Sequence, residues 1–160
     1  MDDLTARNFL IQKATIDDVK DIQKLINTYA SKKRLLPRPL HGLYENVRNF
    51  FVCKNKQGRL IGCCSLQVVW ENLAEIRSLA VDSRYKGRGI GRALVEACMD
   101  EASSLKIQKV FSLTYEQAFF SKVGFKVIDK HDLPHKIWSD CINCPQFPDC
   151  DEIAMLRESM

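Results

Sequence analysis

No apolar run in this chain approaches the ~20 residues needed to cross a bilayer, so no membrane-spanning helix is expected. The first residues, Met1-Asp2-Asp3-Leu4, are acidic and lack the basic and apolar regions of a secretory signal, which makes a cytoplasmic location the default expectation. Charge of one sign is scarce too. Twenty-four basic against twenty acidic residues leave a formal net charge of +4. Outside residues 84–92 the basic side chains are dispersed, which argues against a nucleic-acid binder and suits a small anionic ligand. Cysteine is present, but seven is an odd number, and without an export signal it argues for thiols rather than a disulfide framework. Cys53, Cys63, Cys64 and Cys98 fall inside apolar patterns and are expected to be small buried hydrophobes. Internal repeats, low-complexity tracts and linkers are all missing, and 160 residues are most simply one domain spanning 1–160.

What is present is an alternation of strand and helix patterns. Phe9 to Lys13 reads as a strand. Thr15 then caps a helix with Asp17 and Asp18 in its first turn, and Val19, Ile22, Ile26 and Tyr29 recur at helical spacing to about Ala30. Residues 31–40 hold Pro37 and Pro39 and must be irregular. His41 to Asn49 suggests a second short helix. Phe50 to Lys54 and Leu60 to Trp70 flank a Gln57-Gly58 turn as a hairpin. Glu75 to Val81 is a fourth strand. Ile90, Leu94, Ala97 and Cys98 then mark one stripe of a helix that faces the sheet. Val110 to Leu113, Phe125 to Ile128 and Ile153 to Leu156 read as further strands, with a short helix over Glu116 to Lys122. The expected fold class is α/β, a mixed, mostly antiparallel sheet with helices on both faces.

The most informative stretch joins the fourth strand to the long helix: Arg84-Tyr85-Lys86-Gly87-Arg88-Gly89-Ile90-Gly91-Arg92. Three glycines at alternate positions remove the Cβ atoms that would keep a ligand off the backbone. The helix start leaves amide N–H groups unpaired and carries partial positive charge, so the segment predicts a phosphate cradle. Arg84, Lys86, Arg88 and Arg92 add charge to those amides. A dinucleotide fingerprint needs G-x-G-x-x-G, and neither register fits: the third glycine falls at Arg92 or at Leu94. A triphosphate loop needs Gly-Lys-Ser/Thr, which does not occur.

R-x-x-G-x-G does fit, with Arg84, Gly87 and Gly89 in the fixed places. It resembles the acyl-CoA pyrophosphate loop of the GNAT superfamily of N-acetyltransferases. Phe119-Phe120-Ser121-Lys122-Val123-Gly124-Phe125 is similar to that family's second signature, a short helix ending in Gly-Phe. The resemblance implies the acyl-CoA N-acyltransferase fold, acetyl-CoA as cosubstrate, and no nucleic-acid or membrane partner. It assigns Leu79, Ala80 and Val81 on the fourth strand to the acyl-CoA, together with Arg84, Lys86, Gly87, Arg88, Gly89, Ile90, Gly91, Arg92 and Phe120.

Acetyl transfer from a thioester to an amine needs a proton acceptor, a stabilised carbonyl oxygen, a leaving thiolate and two oriented substrates. Some GNAT enzymes carry a glutamate where this chain has Glu75, which is therefore the candidate base; otherwise it is a charge at a strand end. Many relatives place a tyrosine in the short helix to protonate the thiolate, where this chain has Phe119-Phe120. A phenylalanine donates no proton. A thiol pKa of about 8.5 makes the thiolate a tolerable leaving group near neutral pH, so direct transfer without a dedicated tyrosine is expected. Tyr115 is the nearby alternative acid.

Leu35-Leu36-Pro37-Arg38-Pro39-Leu40, Glu75-Ile76-Arg77-Ser78-Leu79-Ala80-Val81, Leu113-Thr114-Tyr115-Glu116 and Leu133 to Cys141 resemble the short, acetyltransferase-only bacterial N-acetylglutamate synthases. That resemblance implies L-glutamate as acceptor and a place in arginine biosynthesis. Two carboxylates on the acceptor call for two cationic clamps, and Arg38, Arg77 and Lys136 are the candidates. Alternation along the strand puts Arg77 on one face with both Glu75 and Leu79. Lone basic residues are more often solvated surface. Cys141-x-x-Cys144-x5-Cys150 offers three thiols where structural zinc usually takes four ligands, so no metal is assigned, although His135 or Asp151 would complete a set. Two other functions fit the same cofactor loop: acetylation of another amine, or a non-catalytic acyl-CoA sensor. Composition leaves a homodimer open.

Overall fold

The computed structural model describes residues 9–31, 38–133 and 152–159. Four α-helices and seven strands follow in chain order: β1 Leu10–Lys13, α1 Val19–Ser31, α2 Leu40–Glu45, β2 Phe50–Lys54, β3 Leu60–Trp70, β4 Leu73–Val81, α3 Ile90–Ser104, β5 Lys109–Thr114, α4 Gln117–Lys122, β6 Lys126–Ile128 and β7 Ile153–Glu158. All seven strands expected from the pattern are present. The sheet order is β1-β2-β3-β4-β5-β7-β6. Every neighbouring pair is antiparallel except β4 and β5. This is the expected mixed, mostly antiparallel sheet. No described helix is long and apolar enough to cross a membrane.

Apolar side chains alternate along the strands and divide the core into two layers. On one face Val19, Ile22 and Ile26 of α1 and Leu43 of α2 pack on Phe50, Val52, Cys63 and Ala80. On the other, Ile90, Leu94, Val95, Cys98, Met99 and Ala102 of α3 pack on Cys53, Cys64, Leu66, Ala74 and Ile76. The α3 stripe is therefore broader than the pattern suggested, with Ala97 only half-buried. Cys53, Cys63, Cys64 and Cys98 are buried free thiols, as expected. Burial pushes the Cys53 thiol up to about 11 and the Cys63 thiol up to about 12, which makes both poor nucleophiles.

Helix α1 is preceded by a short 3₁₀ turn, Ile16–Asp18, rather than starting directly at its cap. The Thr15 N–H donates to the Asp18 carboxylate at 2.8 Å, and Asp18 also pairs with Lys54 on β2 at 2.8 Å. That tie fixes the start of α1 against β2, one strand in from the sheet edge. Arg38, where the described chain resumes after α1, is tied to that helix through its backbone carbonyl, which accepts from Gln23 Nε2.

Two features of β4 position the site. First, its ladder with β5 holds only at Leu73, Ala74 and Glu75, although both strands continue. Second, the β3–β4 register shifts between Cys63↔Ala80 and Ser65↔Arg77, so Ser78 and Leu79 together oppose Cys64. Such a bulge bends the strand and changes which face the next side chain takes. Ser78 sits at its apex with φ 56°. L-residues are disfavoured there by roughly 1–3 kcal/mol.

Candidate functional site

Glu75 and Arg77 lie two residues apart on β4 and share the face covered by α1 and α2, as alternation requires. Their side chains form an ion pair, Arg77 Nε donating to Glu75 Oε1 at 2.6 Å. Glu75 is only 6% exposed, a degree of burial a carboxylate tolerates when partnered. Leu79 does not share that face. The bulge at Ser78 shifts the alternation by one residue, so Ala80 joins the α1 layer and Leu79 packs with Val81 on the α3 layer. A period-2 reading cannot register an inserted residue, and Ser78 carries no turn signature that would mark one.

Arg38 arrives from the α1–α2 connection. Its backbone carbonyl accepts from Gln23 Nε2 on α1 at 3.2 Å, and its Nη1 donates to Ser78 Oγ at 3.2 Å. Burial, and next the neighbouring Arg77 guanidinium, push the Arg38 pKa below its ordinary value, while Glu75 opposes the shift. The guanidinium still stays charged at any accessible pH. Arg38 and the Glu75–Arg77 pair, distant in sequence, thus come together at the β4 bulge. Lys136, His135, Cys141, Cys144, Cys150 and Asp151 lie outside the described residues.

The candidate phosphate loop begins where β4 ends. Asp82 caps a short 3₁₀ turn at Ser83–Tyr85, accepting from the Arg84 N–H at 3.0 Å. It also takes the Arg84 side chain, at 3.1 Å from Nε and 2.9 Å from Nη2. That bonding holds the Asp82 carboxyl down at about 2. Arg84 therefore braces the loop entrance. Arg88 lies over the Tyr85 ring, 5.2 Å from its centroid, and Tyr85 is itself fixed by Asn55 and Phe9.

Gly87 (φ 81°) and Gly89 (φ 82°) occupy the left-handed region, and a Cβ on either would meet nothing within 4 Å. Residues 86–89 are exposed, and Gly89 is the N-cap of the fifteen-residue helix α3. Open backbone at the start of a long helix fits a diphosphate. Lys86 and Arg92 are exposed beside it, whereas the Ile90 side chain is buried in the core.

Gly91 has a different role from the one its spacing suggests. A Cβ there would come within 3.1 Å of Phe119 Cε1 and 3.2 Å of its Cζ, so Gly91 is small to admit the α4 ring. Phe119 rather than Phe120 is the ring next to the loop. Phe120 is 3% exposed and stacks edge-on with Phe119 and Phe125 in the core. Its assignment to the acyl-CoA gives way to a packing role, because the helical turn after Glu116 points it inward. Gly91→Val is expected to lower stability by about 1–3 kcal/mol through overpacking and to shift the melting temperature down by several degrees, roughly 2–4 °C per kcal/mol. Thermal denaturation followed by circular dichroism measures it.

Tyr115 follows β5 directly and is 37% exposed. The Thr114 hydroxyl, by contrast, is turned to local structure, accepting from the Glu116 N–H at 2.8 Å.

Residues 16–125 match the acetyltransferase (GNAT) family. The chain belongs to that family. It is an N-acetyltransferase that uses acetyl-CoA as cosubstrate. Over 154 residues it is 40% identical to an uncharacterized N-acetyltransferase of Chlorobaculum tepidum, covering 96% of this chain and 99% of the relative. An amino-acid acetyltransferase of Mycobacterium tuberculosis is 41% identical over 122 residues, 75% of this chain and 70% of that protein. Longer amino-acid acetyltransferases also match, and in the one from Mannheimia succiniciproducens the matched region is 28% of the enzyme. A Mycobacterium tuberculosis crystal structure in complex with CoA and NLQ superposes with TM-score 0.80 at 33% identity, over 93% of this chain and 98% of that one. The Neisseria gonorrhoeae N-acetylglutamate synthase complexed with coenzyme A and N-acetyl-glutamate gives TM-score 0.87 at 24% identity, over 95% of this chain and 35% of that one. At that identity the likeness establishes the fold alone.

Proposed function

We propose that this acetyltransferase acetylates the α-amine of L-glutamate by direct transfer in a ternary complex, the reaction that opens arginine biosynthesis. The observation that carries the reading is the cluster of Arg38, Arg77 and Glu75 at the β4 bulge. Two guanidinium groups and one carboxylate leave one net positive charge. Glutamate, with two carboxylates and one ammonium, brings one net negative charge and the same three-point pattern reversed. Each guanidinium takes one carboxylate, as its planar fork favours. Glu75 faces the ammonium.

In that arrangement Glu75 accepts the ammonium proton, directly or through one water. The freed nitrogen forms a bond to the acetyl carbon, the carbon–sulfur bond breaks, and CoA leaves as thiolate. The amide nitrogen sheds its second proton and the thiolate takes one up, so the balance is N-acetylglutamate, CoA thiol and one proton released. The β4 edge beyond Glu75, where the β5 ladder has stopped, is the track for the pantetheine arm along Leu79, Ala80 and Val81. Arg88, Lys86, Arg92 and the open Gly87–Gly89 backbone take the diphosphate. A polyamine in the same place would meet two cations for one carboxylate.

A thiol-release assay over the common amino acids, spermidine and a peptide amine tests this. L-glutamate is expected to give a kcat/KM at least about tenfold above every other amine, about 1.4 kcal/mol of discrimination. Turnover of spermidine or the peptide without turnover of glutamate would overturn it.

A further inference from the structure

We infer that Ser78 is a positioning residue for the acceptor: its hydroxyl holds Arg38 in place across the β4 bulge. The inference rests on the reading of Arg38 as an acceptor clamp and deepens it. Three non-glycine residues have positive φ among those described, Asn72, Ser78 and Lys106. Asn72 and Lys106 lie in turns, and Ser78 alone lies inside a strand. Glycine would adopt the same φ without steric cost. What glycine lacks is the oxygen, and that oxygen accepts from Arg38 Nη1 at 3.2 Å. The Ser78 carbonyl is held as well, accepting from the buried Cys63 Sγ at 3.4 Å.

Arg38 needs such an anchor. It comes from a connection between two helices rather than from the sheet, and the nearby Arg77 guanidinium repels it. Its backbone is tied to Gln23, which fixes where the residue starts but not where its guanidinium points. The Ser78 hydroxyl fixes the far end. Because Ser78 also forms the bulge that turns Leu79 and Val81 to the other layer, one residue sets both the acceptor clamp and the acyl-CoA edge of β4. An arginine forty residues away is thereby registered against the strand that carries Glu75.

Steady-state kinetics with glutamate and acetyl-CoA on Ser78→Gly, Ser78→Ala, Arg38→Ala and the Ser78→Gly/Arg38→Ala double variant test the proposal. Ser78→Gly keeps the backbone shape and loses only the hydroxyl. It is expected to raise the glutamate KM about tenfold, as loss of a bond to a charged group does, leave the acetyl-CoA KM within about twofold, and not lower the melting temperature. Ser78→Ala is expected to show the same KM change with a melting temperature below that of Ser78→Gly, since alanine keeps the strain that glycine relieves. In the Arg38→Ala background Ser78→Gly should add nothing further, because both act through one contact. A glutamate KM unchanged by Ser78→Gly, equal changes in both KM values, or additive effects in the double variant would overturn the role of Ser78 while leaving the Arg38 clamp standing. An unchanged glutamate KM in Arg38→Ala itself would overturn the clamp, and the Ser78 role with it.

Discussion

Glu75→Gln is expected to lower kcat by about 10²- to 10⁴-fold, the usual contribution of a positioned general base. The substitution is nearly isosteric, and the amide oxygen can still accept from Arg77 Nε, which now stands 2.6 Å from Glu75 Oε1. The fold and the acetyl-CoA KM should therefore change little. The pH dependence separates a lost base from a disturbed site. Without Glu75 only amine that is already unprotonated can attack, so the variant rate should climb tenfold per pH unit until the amine itself titrates. The parent, whose base removes the proton within the complex, should reach its plateau at lower pH. The deficit of the variant must then shrink as pH rises. A deficit constant across pH, or a kcat within threefold of the parent, would remove Glu75 from proton transfer.

Arg38→Ala should raise the glutamate KM by at least about thirtyfold, since a desolvated charge paired to a partner costs about 2 kcal/mol or more when truncated. The acetyl-CoA KM should stay within about threefold, because the loop at residues 84–92 follows the end of β4 rather than the bulge at Ser78. Stability should hold or rise. Burial and Arg77 both work against the Arg38 charge in the folded protein, so its loss relieves repulsion there. A clamp that costs stability and serves binding is a common arrangement at functional sites. Arg38→Lys should recover only part of the affinity, because an ammonium keeps the charge but not the two-pronged geometry. Equal effects on both substrates, or none, would take Arg38 out of the acceptor site.

Much of this molecule was legible in its letters because the relevant signals are local. Strand alternation, the helical stripe from Ile90 to Cys98 and the Gly87–Gly89 turn each occupy a few consecutive residues. Local sterics and burial act at that range. The backbone geometry of the glycine turn was legible for the same reason: positive φ at Gly87 and Gly89 and a helix start need only neighbours in sequence. The same reasoning failed where a distant residue decided. Gly91 reads as another open backbone position until Phe119 is seen against it. Phe120, which the resemblance assigns to the acyl-CoA, is packed against Phe125 in the core.

The sequence alone determined the strand and helix order and the glycine turn that opens α3, and it singled out Glu75, Arg77 and Arg38 as candidates. Only the tertiary structure decided that these three meet, and that Leu79 parts company with Arg77. The cause is the bulge at Ser78, an extra residue whose left-handed backbone no nearest-neighbour preference specifies. It is held by contacts with Cys63 and Arg38, fifteen and forty residues away. Such contacts exist only after the sheet has closed under α1, so the chain writes them as pairs of separated letters rather than as a motif.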